Sequence, residues 1–239
     1  MRRLHARAIN VTMARHGLRV YGEPFCGGLS VTMRIRAPVR YASDACEALI
    51  VMYRAMQSGW QPPDVLTQEE WTVLRDANDP SNPLTAFAGF GCSNRGNWFS
   101  SFAKKYRLSP TRTVTAAQAA STSVTDKMAK CTDVEFASGD YREARLGEVV
   151  YCDPPYAGTL GYPAVESLGA WDPVAFWAWV RTLVADGRLV VVSEQVAPDD
   201  FVPLLTFSIQ NKVAMKTGTN RAEYLFVHRS QVEKWVTGA

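Results

Sequence analysis

Val149-Val150-Tyr151-Cys152 runs without a break into Asp153-Pro154-Pro155-Tyr156, and the fold is read outward from this stretch. A short apolar run with no polar alternation suits a strand buried on both faces. Two prolines then forbid its continuation, because each removes a ladder N–H and fixes φ. A carboxylate, two prolines and an aromatic ring are thus left at the carboxyl end of a buried strand, where wound α/β sheets place their ligands. Pro154 and Pro155 lack donors, so the carbonyls around them have no local turn partner and can face the donors of a ligand. Asp153 adds a second acceptor, and Tyr156 offers a stacking face. An exocyclic amine on a flat base suits such a set, with two acceptors for its two N–H groups and a ring for its π face. A rigid post-strand turn with a core tyrosine needs the same residues, and residue type alone divides evenly between the two.

The chain around this stretch alternates strands and helices. Leu18 to Tyr21 reads as a strand that enters a glycine-rich turn, Glu23-Pro24-Phe25-Cys26-Gly27-Gly28, with a helix expected from about Leu29. Val39 to Ser43 is a second strand, and Ala45 to Ser58 has helical spacing through Ala48, Leu49, Met52, Tyr53 and Met56, stopped by Gly59. This is the first half of a Rossmann-like wound sheet. From Trp60 to about Thr132 the composition changes. Gln61-Pro62-Pro63 breaks the chain, Thr67 with Glu70 makes a capping box, residues 78–83 break it again, and a helix is expected over about 115–130. The division expected is therefore a domain of residues 1–59 and 133–239 interrupted by a mostly helical insertion, 60–132. Beyond it, a strand at 134–137 precedes the Val149 strand, and Asp172 and Pro173 start a helix that Gly187 stops. Leu189 to Val192 is a buried strand, and 205–210 with 224–228 makes a closing antiparallel pair around a polar loop.

Composition narrows the class without choosing a function. With 239 residues, 47% hydrophobic and 21% charged, the chain can bury a large core, which excludes a disordered protein. Its 26 basic and 23 acidic residues give +3, a bias that permits a polyanionic partner without requiring one. No apolar run approaches the ~18 residues of a membrane span. Five cysteines, odd in number and lacking a CxxC pair, suggest reduced thiols, with neither a disulfide framework nor a metal cluster. The first 22 residues, with five arginines and no acid, superficially look like a transit peptide but run without a cleavage-like break into a strand pattern, which argues against targeting. A cytoplasmic protein without bound metal, a monomer or weak dimer, is expected.

Two further signals accompany the first. The glycines at 27 and 28 let a ligand approach the backbone, although paired glycines also end strands for steric reasons. The turn is not GxGxxG, which disfavours a nicotinamide oxidoreductase. Asp44, at the end of the second strand, stands where a carboxylate accepts ribose hydroxyls in Rossmann-like folds, and with Glu47 it equally makes a helix start.

Glu-Pro-Phe-x-Gly-Gly, an Asp some way on, an insertion, and Val-Val-Tyr-Cys-Asp-Pro-Pro-Tyr together resemble the Dam-type DNA adenine N6-methyltransferases of bacteria and phages, over nearly the whole chain. The resemblance implies an α/β, Rossmann-like methyltransferase fold with an inserted target-recognition region, S-adenosylmethionine as cofactor, double-stranded DNA as partner, and a bacterial or phage-infected cell as setting. It further implies that Glu23, Pro24, Phe25, Gly27 and Gly28 hold the methionine part of the cofactor and Asp44 its ribose. Asp140 and Tyr141 would contact its adenine, with Asp153 alongside. Asp153, Pro154, Pro155 and Tyr156 would bind and activate the flipped base. Ser93, Asn94, Arg95, Asn97 and Trp98, with Lys104, Lys105, Arg107 and Arg112, form the expected DNA-contacting region, joined by Asn220 and Arg221 near the last strand. One departure is the Lys-x-x-Gly-Gly-Lys-like motif usual at the start of the family, which is missing before Glu23; Arg2, Arg3 and Arg7 are the residues that could substitute. A methyltransferase acting on RNA and a DNA-binding relic without activity stay as alternatives.

Overall fold

The computed structural model describes residues 1–107, 109, 113–155, 171–209 and 221–236. Their strands are β1 (Val20–Glu23), β2 (Val39–Asp44), β3 (Lys105–Arg107), β4 (Thr113–Thr115), β5 (Glu135–Ser138), β6 (Val149–Cys152), β7 (Leu189–Glu194), β8 (Phe201–Ile209) and β9 (Arg221–His228). The helices are α1 (Arg2–His16), α2 (Glu47–Gln57), α3 (Gln68–Ala77), α4 (Pro83–Ala86), α5 (Ala116–Met128), α6 (Pro173–Ala185) and α7 (Val232–Val236).

Seven strands form one sheet in the order β5-β2-β1-β6-β7-β9-β8. The first five are parallel, β9 runs antiparallel to β7, and β8 antiparallel to β9. This mostly parallel sheet with flanking helices is compatible with a Rossmann-like fold. The chain winds outward from β1 through β2 to β5, then returns to the other side of β1 and winds through β6 to β7. The switch point is therefore the crevice between β1 and β6, beyond their carboxyl ends.

The apolar runs of β6 and β7 behave as buried parallel strands must. Val149, Tyr151, Leu189 and Val191 pack on one face with Ala6, Ile9 and Met13 of α1, while Val150, Cys152, Val190 and Val192 pack on the other with Phe176, Val180 and Leu183 of α6. A third cluster joins α2 (Leu49, Met52, Tyr53, Met56) to Trp71, Phe87, Cys92 and Ala117 of the 60–132 segment, so that segment shares its core with the sheet's own helix. The sequence signals for β6, α6 and α3 hold closely. Asp172 accepts from the Val174 and Ala175 amides, and Thr67 with Glu70 forms both bonds of the capping box.

Two expectations need correction. No helix follows the glycine turn: Leu29 takes a left-handed φ of +58°, and only a 3-10 turn, Thr32–Arg34, forms before β2. The flank that such a helix would cover is taken by α1, which the arginine-rich N-terminus did not announce and which buries His5, Ala6, Ile9, Thr12 and Met13 on one stripe.

Candidate functional site

Asp153 leaves the end of β6 at the switch point, and its carboxylate meets the first residues of the chain. Arg2 Nη2 lies 3.0 Å from Oδ1 and 2.8 Å from Oδ2 of Asp153. The other end of the same guanidinium, Nη1, donates to Glu223 Oε1 at 2.8 Å, to Ser193 Oγ at 2.8 Å and to the Tyr151 hydroxyl at 2.9 Å. Ser193, on β7, donates to Glu223 Oε1 at 2.7 Å, and Tyr151 OH lies 3.0 Å from His5 Nδ1. Of the three arginines that could substitute for the missing motif, only Arg2 enters this cluster; Arg3 and Arg7 are exposed.

Burial sets the protonation of this cluster. It pushes the Asp153 carboxyl up to about 7, against the pull of Arg2 and with Glu223 adding to the push. It holds His5 down at about 3, helped by the neighbouring Arg2 charge, so the imidazole is neutral. Glu23, at the end of β1, is pushed up to about 8 by burial although Thr32 Oγ1 (2.5 Å) and Tyr21 OH (2.7 Å) both donate to its Oε2. Pro154 is buried, Pro155 less so, and among the described residues none donates to the Pro154 carbonyl. Tyr156 lies outside the described residues.

The glycine turn is held from three sides. The Gly27 amide donates to Asp44 Oδ2 at 2.8 Å, and Gly27 itself takes φ +40°, open to a glycine and strained for other residues. Tyr53 OH donates to the Gly27 carbonyl at 2.7 Å, and Lys127 of α5 donates to the Gly28 carbonyl at 2.8 Å. Asp44 also accepts from the Cys46 amide through Oδ1, which fixes its position at the end of β2 and leaves a lone pair on each oxygen. Cys46, not Asp44, is the N-cap of α2.

Beside the turn, Phe25 stacks on Tyr141 at 5.3 Å between ring centroids, and Trp171 stands edge-on to both, 5.8 Å from Phe25 and 5.7 Å from Tyr141. The Trp171 indole N–H is buried and, among the described residues, has no partner. Asp140 precedes this group, and its carboxylate is held by Arg142 through Nε and Nη2, which keeps it below the usual carboxylate range.

The expected DNA-contacting residues divide. Asn94, Arg95 and Asn97 are exposed, as are Lys104, Lys105 and Arg107 at the β3–β4 hairpin, where Tyr106 is 56% exposed. Ser93 is buried, with Trp71 Nε1 donating to its hydroxyl and the hydroxyl donating to the Ala88 carbonyl, so its side chain serves the interior and not a surface. Trp98 packs on Phe90 and Phe99, so close over Gly89 that any Cβ there would sit 2.6 Å from the indole. Arg112 and Asn220 lie outside the described residues, and of Arg221 only the backbone, first in β9, is described.

Ser193, Glu223, Trp171 and Lys127 belong to the site and carried no signal of their own in the sequence. Each arrives from a distant element, and no motif marks it. Among the described residues, no group of three or more His, Cys, Asp or Glu is placed to hold a metal, and no helix is long and apolar enough to cross a membrane. No known family model matches the chain.

Proposed function

We propose that the protein transfers a methyl group from S-adenosylmethionine to N6 of an adenine flipped out of a specific duplex DNA site. The observation that carries this reading is the position of Asp153-Pro154-Pro155: it stands at the switch point of the sheet, with a carboxylate followed by a backbone carbonyl to which no described residue donates, and the glycine turn of β1 next to it.

The residues present fit the cofactor. An open glycine turn, lone pairs left on Asp44, and an aromatic group with one buried indole N–H that no described residue accepts suit an amino-acid tail, a ribose and a flat heterocycle in that order. Glu23, Phe25, Gly27 and Gly28 would hold the tail, Asp44 the ribose, and Tyr141 with Trp171 the ring. The group supplies a methyl on a positively charged sulfur.

The chain's own part is to prepare the acceptor nitrogen. The lone pair of an adenine N6 is delocalised into its ring, and two acceptors on its two N–H bonds favour a tetrahedral nitrogen with the lone pair directed outward. Asp153 and the Pro154 carbonyl are those acceptors. Both are fixed before the base arrives, one by Arg2 and the other by the prolines, so positioning supplies much of the effect. No base stronger than a carboxylate is needed, since the proton leaves once nitrogen carries charge. A duplex adenine must be extruded to reach this crevice, and the exposed cations of the 60–132 segment are suited to hold the distorted backbone.

The test is incubation of the purified protein with mixed-sequence duplex DNA and methyl-labelled S-adenosylmethionine, followed by digestion to nucleosides. Labelled N6-methyladenine is expected. Specific DNA binding with neither cofactor binding nor label would overturn the reading in favour of a relic, and label on RNA alone would change the substrate.

A further inference from the structure

The proposed reaction uses Asp153 and leaves unexplained why a second carboxylate lies beneath it. Glu223 has a side chain only 5% exposed, while those of Asp153 and Arg2 are 24% and 27% exposed. Exposure thus rises from a deep anchor, Glu223, to an arginine and an aspartate that reach the crevice. A buried carboxylate is expensive, and an apolar residue of similar size often serves stability better. Its presence here matches what it holds: Glu223 and Ser193 fix one end of the Arg2 guanidinium, and the other end faces both oxygens of Asp153. A guanidinium is planar, so fixing one end fixes the other, which a lysine ammonium cannot do.

We propose that Arg2, bridging Glu223 and Asp153, is the positioning residue of this site, holding the Asp153 carboxylate in one orientation as an acceptor for the amine of the incoming base. The inference rests on reading Asp153 as that acceptor. A carboxylate offers about four lone-pair directions. Arg2 faces both oxygens and Ser193 also bonds the carboxylate, which among the described residues leaves at least one direction for the amine of the base. Held so and ionised, Asp153 accepts; once protonated it loses that role, which gives the reaction its acid limb.

The groups acting with Asp153 are Arg2 from α1, Glu23 from β1, Tyr151 and Cys152 from β6, Ser193 from β7 and Glu223 from β9, with His5 of α1 behind Arg2 and Tyr151. Arg2 and Glu223 act on it with opposite sign, one lowering and one raising the pH at which it takes a proton. Damage to the fold alone would not produce opposite movements.

The test compares the full chain with Arg2→Met, Arg2→Lys and Glu223→Gln. The Asp153 carboxyl is titrated by NMR in protein carrying 13C-labelled aspartate, assigned with Asp153→Asn, and methyl transfer is measured against pH. In Arg2→Met the titration and the acid limb of the rate should both move up by at least about 1 pH unit, with a roughly tenfold loss of kcat near pH 7 and an unchanged KM for S-adenosylmethionine. In Glu223→Gln both should move down. Arg2→Lys should restore the position of the limb while leaving the plateau rate low. Faster transfer in Arg2→Met would overturn the proposal, since Arg2 would then be a plug. A loss confined to KM would make Arg2 a cofactor-binding residue and overturn it too, as would a limb that neither variant moves. If the unaltered protein transfers no methyl group to DNA or RNA, the functional reading fails and the proposal with it, and opposite NMR shifts would then report a buried ion network without catalytic purpose.

Discussion

Beneath Asp153 the chain buries charge, and in the 60–132 segment it keeps charge outside. In the first region Arg2, Glu223, Glu23 and His5 surround an interior where burial, the largest cause, moves His5, Glu23 and Asp153 far from ordinary values. In the second, Trp71, Phe87, Phe99 and Phe102 form an aromatic base under a surface that exposes Lys104, Lys105 and Arg107. Buried charge costs stability and gives fixed geometry, whereas exposed charge costs little and is screened by salt. Chemistry needs the former, and holding a polyanion of variable shape needs only the latter.

The contrast can be broken most forcefully at Trp71, whose ring meets Phe99 and Phe102 and whose indole binds Ser93. Trp71→Ala should cost about 3–5 kcal/mol in urea unfolding. A much smaller loss would show that the segment's aromatic base is not part of the cooperative core. Asp153→Ala comes next: methyl transfer should fall by about 10²–10³-fold, or about 2.7–4 kcal/mol of barrier, with the circular dichroism spectrum unchanged. Retained transfer would remove Asp153 from the mechanism.

A smaller effect should appear in the pH dependence of stability. Glu23 has its folded carboxyl at about 8 against an ordinary 4.5, so the fold favours its protonated form. Its contribution is full below 4.5 and declines as pH rises toward about 8. Tm should fall across that range, and Glu23→Gln should flatten the fall; an unchanged slope would assign it to another group. The smallest effect on stability is expected from Lys104→Ala with Lys105→Ala, within about 0.5 kcal/mol. The same variant should reduce the slope of log affinity for duplex DNA against log salt by about 1.8, and an unaltered slope would move the phosphate contacts elsewhere.

The two regions also differ in how much of them could be read from the sequence. Signals that act within a few residues were legible: the prolines that end β6, the Asp172-Pro173 start of α6, and the capping box of Thr67 and Glu70. Asp153 was legible for the same reason, since its place follows from its own strand. Its partners were not. Ser193 follows the apolar run of β7 and Glu223 lies in β9, late in the chain, and neither meets the site until the sheet is wound. The missing helix after Gly28 and the unexpected α1 are one event. Leu29 turns left-handed, and the stripe of Ala6, Ile9 and Met13 takes the uncovered face, its apolar spacing hidden among arginines.

The network around Arg2 carries a consequence for how the molecule is made. Its bonds to Tyr151, Asp153, Ser193 and Glu223 span 149, 151, 191 and 221 positions of the chain. Contacts of such sequence separation close large loops, and the loop entropy is lost before any single contact compensates it. A ribosome must deliver the chain past Glu223 before α1 can meet its last partner. Until then every charge in the network stays in water, where it is at no disadvantage. Competence at the crevice is thus a late property of folding, acquired together with the closing strand, and no shorter nascent chain can hold it.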